Sequence, residues 1–277
     1  MKPGIYDGMS AAWYHEQPGL SNSFLREFSR SPAYAITPKE RTPQKQKMLD
    51  KGAAGHTMIL EPDKTNDRII RMLQGMTRKQ RVGKALAKIA KKEKKILLSH
   101  DEWEQIKGMA NAIRGHPQAA RLLKNAAVER SLFWDHPLYG FPCKARLDID
   151  QEGKDIRIIT DLKSTSDARP DPFSRIYFNL KYYWQAYWYL EGARIVLGPK
   201  ELELFVCIAV ETEKPHGVWP YKTDPEDLTV ARYQVPTLVD HYAECLETNQ
   251  WPCYPMVDST ISMPGWARKR GYNAIFD

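Results

Sequence analysis

The chain has 277 residues, 42% hydrophobic and 27% charged, which is typical of a globular protein with room for a substantial core. No run approaches the roughly 18 apolar residues of a membrane span, and the start MKPGIYDGMS resembles no secretory signal, so we expect a cytoplasmic protein without a membrane partner. The four cysteines form no C-x-x-C pair, so we expect reduced thiols and no iron–sulfur cluster.

The net charge of +7 is concentrated in one segment. Residues 78–95, RKQRVGKALAKIAKKEKK, carry nine basic residues and one acid, which leaves the rest of the chain at −1. A basic segment on a nearly neutral body suggests a site for a polyanion such as DNA. A solvated helix face rich in lysine explains the same pattern, so its role stays open.

The first 125 residues are predicted to be mainly helical. In LSNSFLREFSRSP, Ser21 or Ser23 is predicted to cap a short helix that ends before Pro32. Further helices are predicted within residues 47–63, 78–95 and 100–117.

Strands are predicted next. ERSLFWD, GFPCKARLDID and DIRIITDLKST are predicted to form three consecutive antiparallel strands, joined by turns at HPLYG and QEGK. An aromatic helix closed by Gly192 follows, and ELELFVCIAVE (201–211) predicts a central buried strand. A late helix interrupted by Pro236 precedes an irregular arm that begins at Trp251. This order indicates an α/β domain with a mixed sheet.

Charged residues converge on the predicted hairpin of the second and third strands. Alternation places Asp161 and Lys163 on one face, with Asp148 level with Asp161 and on the same face as Arg146 and Asp150. Two carboxylates about 4 Å apart repel by roughly 4 kcal/mol at an effective dielectric near 20. A divalent cation such as Mg²⁺ would relieve this repulsion, whereas a plain Asp–Lys salt bridge is the alternative.

Two further motifs flank this hairpin. Upstream, GAAGH places Gly52 and His56 in a G-x-x-x-H pattern, and downstream QAYWY places Gln185 and Tyr189 on one helix face. The hairpin pattern D-x(12)-D-x-K resembles the signature of PD-(D/E)xK nucleases. The ordered set of motifs resembles the RecB-type branch of that superfamily.

Longer stretches resemble the nuclease domain of RecE-type proteins (exonuclease VIII). The similarity lies in LSNSFL…SPA, G-x-x-x-H…LEP, ARLDI, TDLKST and the C-terminal MPGWARK, and it covers nearly the whole chain. Residues 64–98 and 212–250 match only in outline. Leu147 replaces the proline of the superfamily motif, and Asp161 stands where many relatives have glutamate. Neither change removes a charge.

The resemblance implies a fold and an activity. The fold is a single nuclease domain with a mixed β-sheet, flanking helices and an active-site hairpin; its parts are a helical region (1–125), a catalytic sheet (126–250) and an arm (251–277). The activity is a Mg²⁺-dependent exodeoxyribonuclease that degrades linear duplex DNA from the 5′ end in phage-type recombination. Its setting would be a bacterial or phage-infected cytoplasm, with a single-strand annealing protein as partner and a ring-shaped homo-oligomer. An endonuclease on the same fold and a non-catalytic DNA-binding module are the alternatives.

The resemblance also implies residue roles. Asp148, Asp161, the main-chain carbonyl of Leu162 and His56 would bind Mg²⁺, which Mn²⁺ could replace. Lys163 would position or activate the attacking water and stabilise charge on the phosphate. A lone histidine is more often structural than a ligand, and His56 is assigned only because the other motifs follow in order.

The remaining predicted residues would hold DNA. Gln185 and Tyr189 are expected to face the cleft and to complete the catalytic set, while most neighbouring aromatics pack against the sheet. The predicted DNA contacts are Ser23, Arg26, Arg30, Ser164, Thr165, Lys181 and Tyr182. An amphipathic helix with exposed arginines explains the first three equally well.

Overall fold

The computed structural model describes residues 1–40, 42–254, 259–263, 265 and 268. Most of the C-terminal MPGWARK stretch and most of the predicted arm (251–277) lie outside the described residues.

A six-stranded sheet forms the centre of the described structure. Its strands, in spatial order, are β1 (Gly4–Tyr6), β4 (Ala127–Asp135), β5 (Pro142–Glu152), β6 (Ile156–Thr165), β7 (Leu202–Glu211) and β8 (Val218–Lys222). Only the β6–β7 pair is parallel; the other neighbours are antiparallel. The predicted α/β class, the antiparallel β4–β5–β6 unit and the buried strand β7 are therefore confirmed.

Helices cover both faces of this sheet. They are α1 (Ala11–Glu16), α2 (Asn22–Phe28), α3 (Pro32–Ile36), α4 (Pro43–Leu60), α5 (Thr65–Arg68), α6 (Arg81–Lys92), α7 (His100–Gly115), α8 (Pro117–Leu123), α9 (Pro170–Asn179), α10 (Tyr182–Leu197) and α11 (Pro225–Thr248). The caps follow the sequence: Ser21 caps α2 by accepting from the Phe24 N–H, and Ser99 with Glu102 forms a capping box on α7.

Two large apolar clusters sandwich the sheet. One holds side chains of α2, α10 and α11 against Leu132, Leu147 and Phe205. The other holds side chains of α4, α7 and α8 against Ile149 and Ile208. The hairpin β5–β6, which carries the predicted site, therefore lies between two helical layers, and either layer can supply side chains to its end.

A third, small core lies beside these layers. Strands β2 (Ile69–Arg71) and β3 (Ile96–Leu98) pair in parallel, and α6 packs Ala90 against Met72 and Leu97. The basic segment therefore folds as a helix with one apolar face.

The aromatic segment forms two helices instead of the single predicted one. Lys181 adopts a left-handed conformation (φ 57°) that separates α9 from α10. Gly192 lies inside α10 and does not end it; a Cβ there would come within 2.6 Å of the Trp134 ring. Position 192 therefore requires glycine because α10 packs closely against the sheet there, and not because the helix ends there.

The predicted interruption at Pro236 is also wrong. Proline removes one hydrogen bond of the helix, yet α11 continues through it to Thr248. Val235 and Val239 on either side are buried in the first cluster, so their packing holds the helix together. Across the described residues, no helix is both long and apolar enough for a membrane crossing.

Candidate active site

The two aspartates of the hairpin lie where its strands separate. The last paired residues are Ile149 and Thr160, so Asp148 and Asp161 occupy the next level position. The Asp148 carboxylate accepts the Leu162 N–H at 2.8 Å, and both aspartates are buried. The fold therefore brings the two acids together as the pattern predicts.

Strict alternation fails at this level of the sheet. In β5, Leu147 packs into the first cluster, whereas Ile149 packs into the second. Arg146 and Asp150 therefore do not share a face, contrary to the prediction. Glu129 of β4, whose register places it beside Asp148, has a left-handed backbone (φ 53°). Such strained residues concentrate at functional sites.

His56 and Glu129 complete a cluster around Asp148. His56, near the end of α4, has its Nδ1 3.1 Å from a Glu129 oxygen and 3.5 Å from an Asp148 oxygen. One ligand atom from each of the three residues lies within 4.8 Å of the others. Arg146 holds the second oxygen of Glu129 at 2.6 Å. The sequence reasoning missed Glu129, although the register of β4 on β5 could have placed it.

Asp161 faces a different set of partners. One of its oxygens lies 2.6 Å from the Lys163 ammonium, and the other accepts a hydrogen bond from the Gln185 amide. The Gln185 carbonyl in turn accepts from Lys163 at 2.8 Å, and Lys163 lies 4.1 Å from the centre of the Tyr182 ring. The structure thus joins Asp161, Lys163 and Gln185 into one triangle.

The electrostatics of the site reflect its excess of acids. Burial, then Asp161, raises the pKa of Asp148 to about 7, although His56 opposes the shift. Burial opposes protonation of His56, but Asp148 and Glu129 outweigh it and raise its pKa to about 9. Burial also opposes ionisation of Glu129, but His56 and Arg146 lower its pKa to about 2. A second positive charge is therefore favoured beside Asp148.

These residues fit a divalent cation. His56, Asp148 and Glu129 offer an imidazole and two carboxylates at close range, a donor set suited to Mg²⁺ or Mn²⁺. Asp161 is near enough to raise the pKa of Asp148, yet Lys163 and Gln185 occupy its oxygens. Leu162 contacts Asp148 through its N–H, so the role of its carbonyl stays a prediction.

Tyr189 and Tyr182 lie on opposite sides of Gln185 along α10. Tyr189 packs edge-on against Phe205, and burial, then Asp161, raises its pKa well above the usual value. Burial likewise raises the pKa of Tyr182, while Lys163 and, more weakly, Arg26 oppose the shift. Arg26 of α2 is therefore close enough to the site to act on it electrostatically.

The other predicted DNA contacts have mixed surroundings. Ser164 is exposed, whereas the Thr165 hydroxyl donates to the Asp167 carbonyl and holds a turn. The Lys181 ammonium lies 4.3 Å from the centre of the Phe178 ring. Two predicted DNA-binding residues on or near α2 already have partners within the protein. Ser23 shares a hydrogen bond with Ser21, and Arg30 contacts Tyr254 and Tyr34.

The basic segment presents its charges to solvent. Its exposed cations without a described side-chain partner are Lys79, Arg81, Lys84, Lys88, Lys91, Lys92 and Lys94. Their exposure is compatible with both a DNA contact and a solvated helix face.

A family model described as a PDDEXK-like domain of unknown function (DUF3799) matches residues 21–257. The chain belongs to this family. The assignment to the PD-(D/E)xK superfamily is thus confirmed, while the RecB-type branch and the specific closeness to RecE stay predictions. No curated protein matches the chain.

A solved structure shares the fold. It is a crystal structure of a "Putative exonuclease" from Eubacterium rectale, with a TM-score of 0.61 and 13% identity. The similarity covers 94% of this chain and 96% of that one. At this identity it shows a common architecture over nearly the full length of both chains.

Proposed function

We propose that this protein is a divalent-cation-dependent deoxyribonuclease that hydrolyses phosphodiester bonds. The observation that carries the proposal is the convergence of Asp148, Asp161 and Lys163 at the open end of one hairpin, with His56 added from α4. Family membership supports the assignment.

The residues divide into two sets with different tasks. His56, Asp148 and Glu129, with Asp161, would hold the cation, which when bound lowers the pKa of water and neutralises phosphate charge. Lys163 stays protonated because Asp161 outweighs the effect of burial and raises the pKa of its ammonium. It therefore acts as a fixed positive charge toward the phosphate and not as a base. Gln185 fixes the positions of both Lys163 and Asp161.

The finer assignment is an exonuclease on linear duplex DNA that works from the 5′ end with Mg²⁺ or Mn²⁺. The RecE-like stretches support it, as does the name of the Eubacterium rectale protein. A role in phage-type recombination, an annealing partner and a ring-shaped oligomer follow from the same resemblance.

The test compares a 5′-phosphorylated linear duplex with a covalently closed circle in the presence of Mg²⁺. The wild type is expected to degrade only the linear form. Lys163→Ala should abolish cleavage while DNA still binds. Lys200→Ala, which removes an equivalent charge at the other end of the sheet, is the matched control and should cleave normally.

Two results would replace the proposal. Equal cutting of the circle and the linear duplex indicates an endonuclease. No cleavage by the wild type with any divalent cation, together with DNA binding that Lys163→Ala leaves unchanged, indicates a non-catalytic DNA-binding module.

A further inference from the structure

Three aromatic rings form a parallel stack beside the catalytic triangle. Phe173 of α9 stacks on Tyr221 of β8 with ring centres 5.1 Å apart and planes 12° apart. Tyr221 stacks on Trp219 at 5.5 Å and 3°. Phe173 is buried at the inner end of the stack, whereas Trp219 at the outer end is 45% exposed. The stack therefore ends in an aromatic ring that is open to solvent.

The sheet register places this stack level with the catalytic residues. Lys163 pairs with Ala209 of β7, and Ala209 pairs with Trp219 of β8. In the next row, Asp161 and Tyr221 flank Cys207 in the same way. Two strand spacings amount to about 10 Å, so Trp219 lies close to the site on the same sheet face.

Small residues of β7 lie between the two rows. Ala209 and Cys207 are buried in the first cluster together with Ala168 and Phe173, so side chains that follow β6 cover β7 between Lys163 and Trp219. Tyr182, next to Lys163, lies 6.3 Å from Phe173 and so links the site to the stack. A nucleic-acid strand held at Lys163 would therefore pass over this covered part of the face to reach the exposed Trp219, about two strand spacings away.

The stack is also held rigidly. The Tyr221 hydroxyl donates to the Ala168 carbonyl at 2.6 Å, and Val218, the neighbour of Trp219, packs into the opposite core. β8 is paired only with β7 among the described strands, so it forms an edge of the sheet. An exposed tryptophan fixed at a sheet edge loses little conformational freedom when a flat partner stacks on it.

We propose that Trp219 is a stacking platform for an unpaired base of the DNA strand held at Lys163. This proposal rests on the proposed function and adds to it that the bound DNA is single-stranded beside the scissile phosphate. Single-strand binding sites combine cations that contact the backbone with aromatic rings that stack bases. Here Lys163 supplies the charge, and Trp219 supplies the exposed ring.

The test measures binding and not cleavage. Fluorescence anisotropy of a labelled oligodeoxynucleotide of about 12 nucleotides is recorded with the full chain in EDTA. Trp219→Leu keeps apolar volume but removes the ring, and it should weaken binding by between about 5-fold and 150-fold. Trp219→Phe should restore most of the affinity. Trp13→Ala is the matched control, because Trp13 is 43% exposed and lies on α1; it should bind as the wild type does.

Oligonucleotides with one abasic position, moved along the strand, decide between stacking and indirect effects. An abasic nucleotide at one position should weaken binding to the wild type by about the same factor as Trp219→Leu does. The same oligonucleotide should bind Trp219→Leu no more weakly than the intact oligonucleotide does. The proposal would be overturned if Trp219→Leu binds the oligonucleotide as tightly as the wild type does. It would also be overturned if Trp219→Leu loses affinity but no abasic position lowers the affinity of the wild type. The first of these results would leave the ring as a protein-docking surface.

The outcomes for the two proposals are separable. If the wild type cleaves DNA but shows no sensitive abasic position, only the stacking platform is wrong. If the abasic pattern appears but no cation supports cleavage, the platform stands and the nuclease assignment fails.

Discussion

Two buried groups of charged residues lie along β5 and β6, one around Asp150 and one around Asp148. Asp150 faces Arg130 at 2.9 Å and Arg157 at 3.7 Å, and Arg157 also reaches Glu203 at 3.7 Å. Asp148, two residues earlier, has an N–H donor and a histidine at 3.5 Å but no arginine or lysine partner among the described residues.

The contrast separates charges that the fold compensates with arginine from charges that it leaves without a fixed partner. Around Asp150, guanidinium groups are built into the fold, so the acids are compensated permanently. Around Asp148, the compensating charge is a titratable imidazole. Burial raises the pKa of both aspartates, but the two arginines oppose this shift at Asp150, whereas Asp161 adds to it at Asp148. Buried charge that is short of a fixed partner is destabilising, and an exchangeable cation can remove that deficit.

The largest expected effect comes from replacing Asp148 by asparagine, with the same replacement of Asp150 as its control. Asp148→Asn should lower the cleavage rate by about 1,000-fold, since it removes a cation ligand where charge stabilisation is worth that much. In EDTA at pH 8 its melting temperature should not fall. The sign follows from the pKa: ionised Asp148 destabilises the fold as pH rises through about 7, and asparagine removes that charge.

Asp150→Asn is the matched control, and it should show the opposite pattern. We expect near-normal cleavage and a lower melting temperature, because Arg130 and Arg157 each lose one buried charged partner. Equal losses of activity in both variants would break the distinction between the two groups.

Arg157→Met should lower the free energy of unfolding by about 3 kcal/mol, because it removes one of the two guanidinium partners of the buried carboxylates of Asp150 and Glu203. Urea denaturation measures this change. Lys200→Met, which removes the 2.9 Å partner of the half-exposed Glu152, should cost less than about 1 kcal/mol. Comparable values for both variants would contradict a structural role for Arg157.

The affinity for Mn²⁺ should fall as the pH is lowered. Binding requires Asp148 ionised and His56 neutral, and their pKa values are about 7 and about 9. Because one proton is released on binding between pH 9 and 7 and two are released below pH 7, we expect the affinity to fall about tenfold per pH unit from 9 to 7 and up to about a hundredfold per unit below 7. Titration calorimetry in two buffers of different ionisation enthalpy counts these protons. An affinity independent of pH between 6 and 8 would exclude both groups as ligands.

Glu129→Gln should have the smallest effect, a loss of about tenfold in Mn²⁺ affinity. Arg146 already neutralises Glu129 and holds one of its oxygens, so we expect this carboxylate to be the weakest of the proposed cation ligands. The same calorimetric titration measures the change. A loss as large as that of Asp148→Asn would make Glu129 a principal ligand.

The sequence by itself determined the chemistry of the hairpin. Strand patterns, a short turn and the D-x(12)-D-x-K spacing place Asp148, Asp161 and Lys163 together, because antiparallel register depends only on residue counts across a turn. The flanking G-x-x-x-H and Q-x-x-x-Y motifs added His56 and Gln185, whose side chains the fold brings to the same place.

Only the tertiary structure decided the rest. The break in alternation at Glu129 and Asp148, the packing of Gly192 on Trp134 and the alignment of Trp219 with Lys163 all depend on neighbours distant in sequence. Local patterns carry no information on which helix covers a strand. The difference between Asp148 and Asp150 arises in the same way, from arginines on other strands that no local motif records.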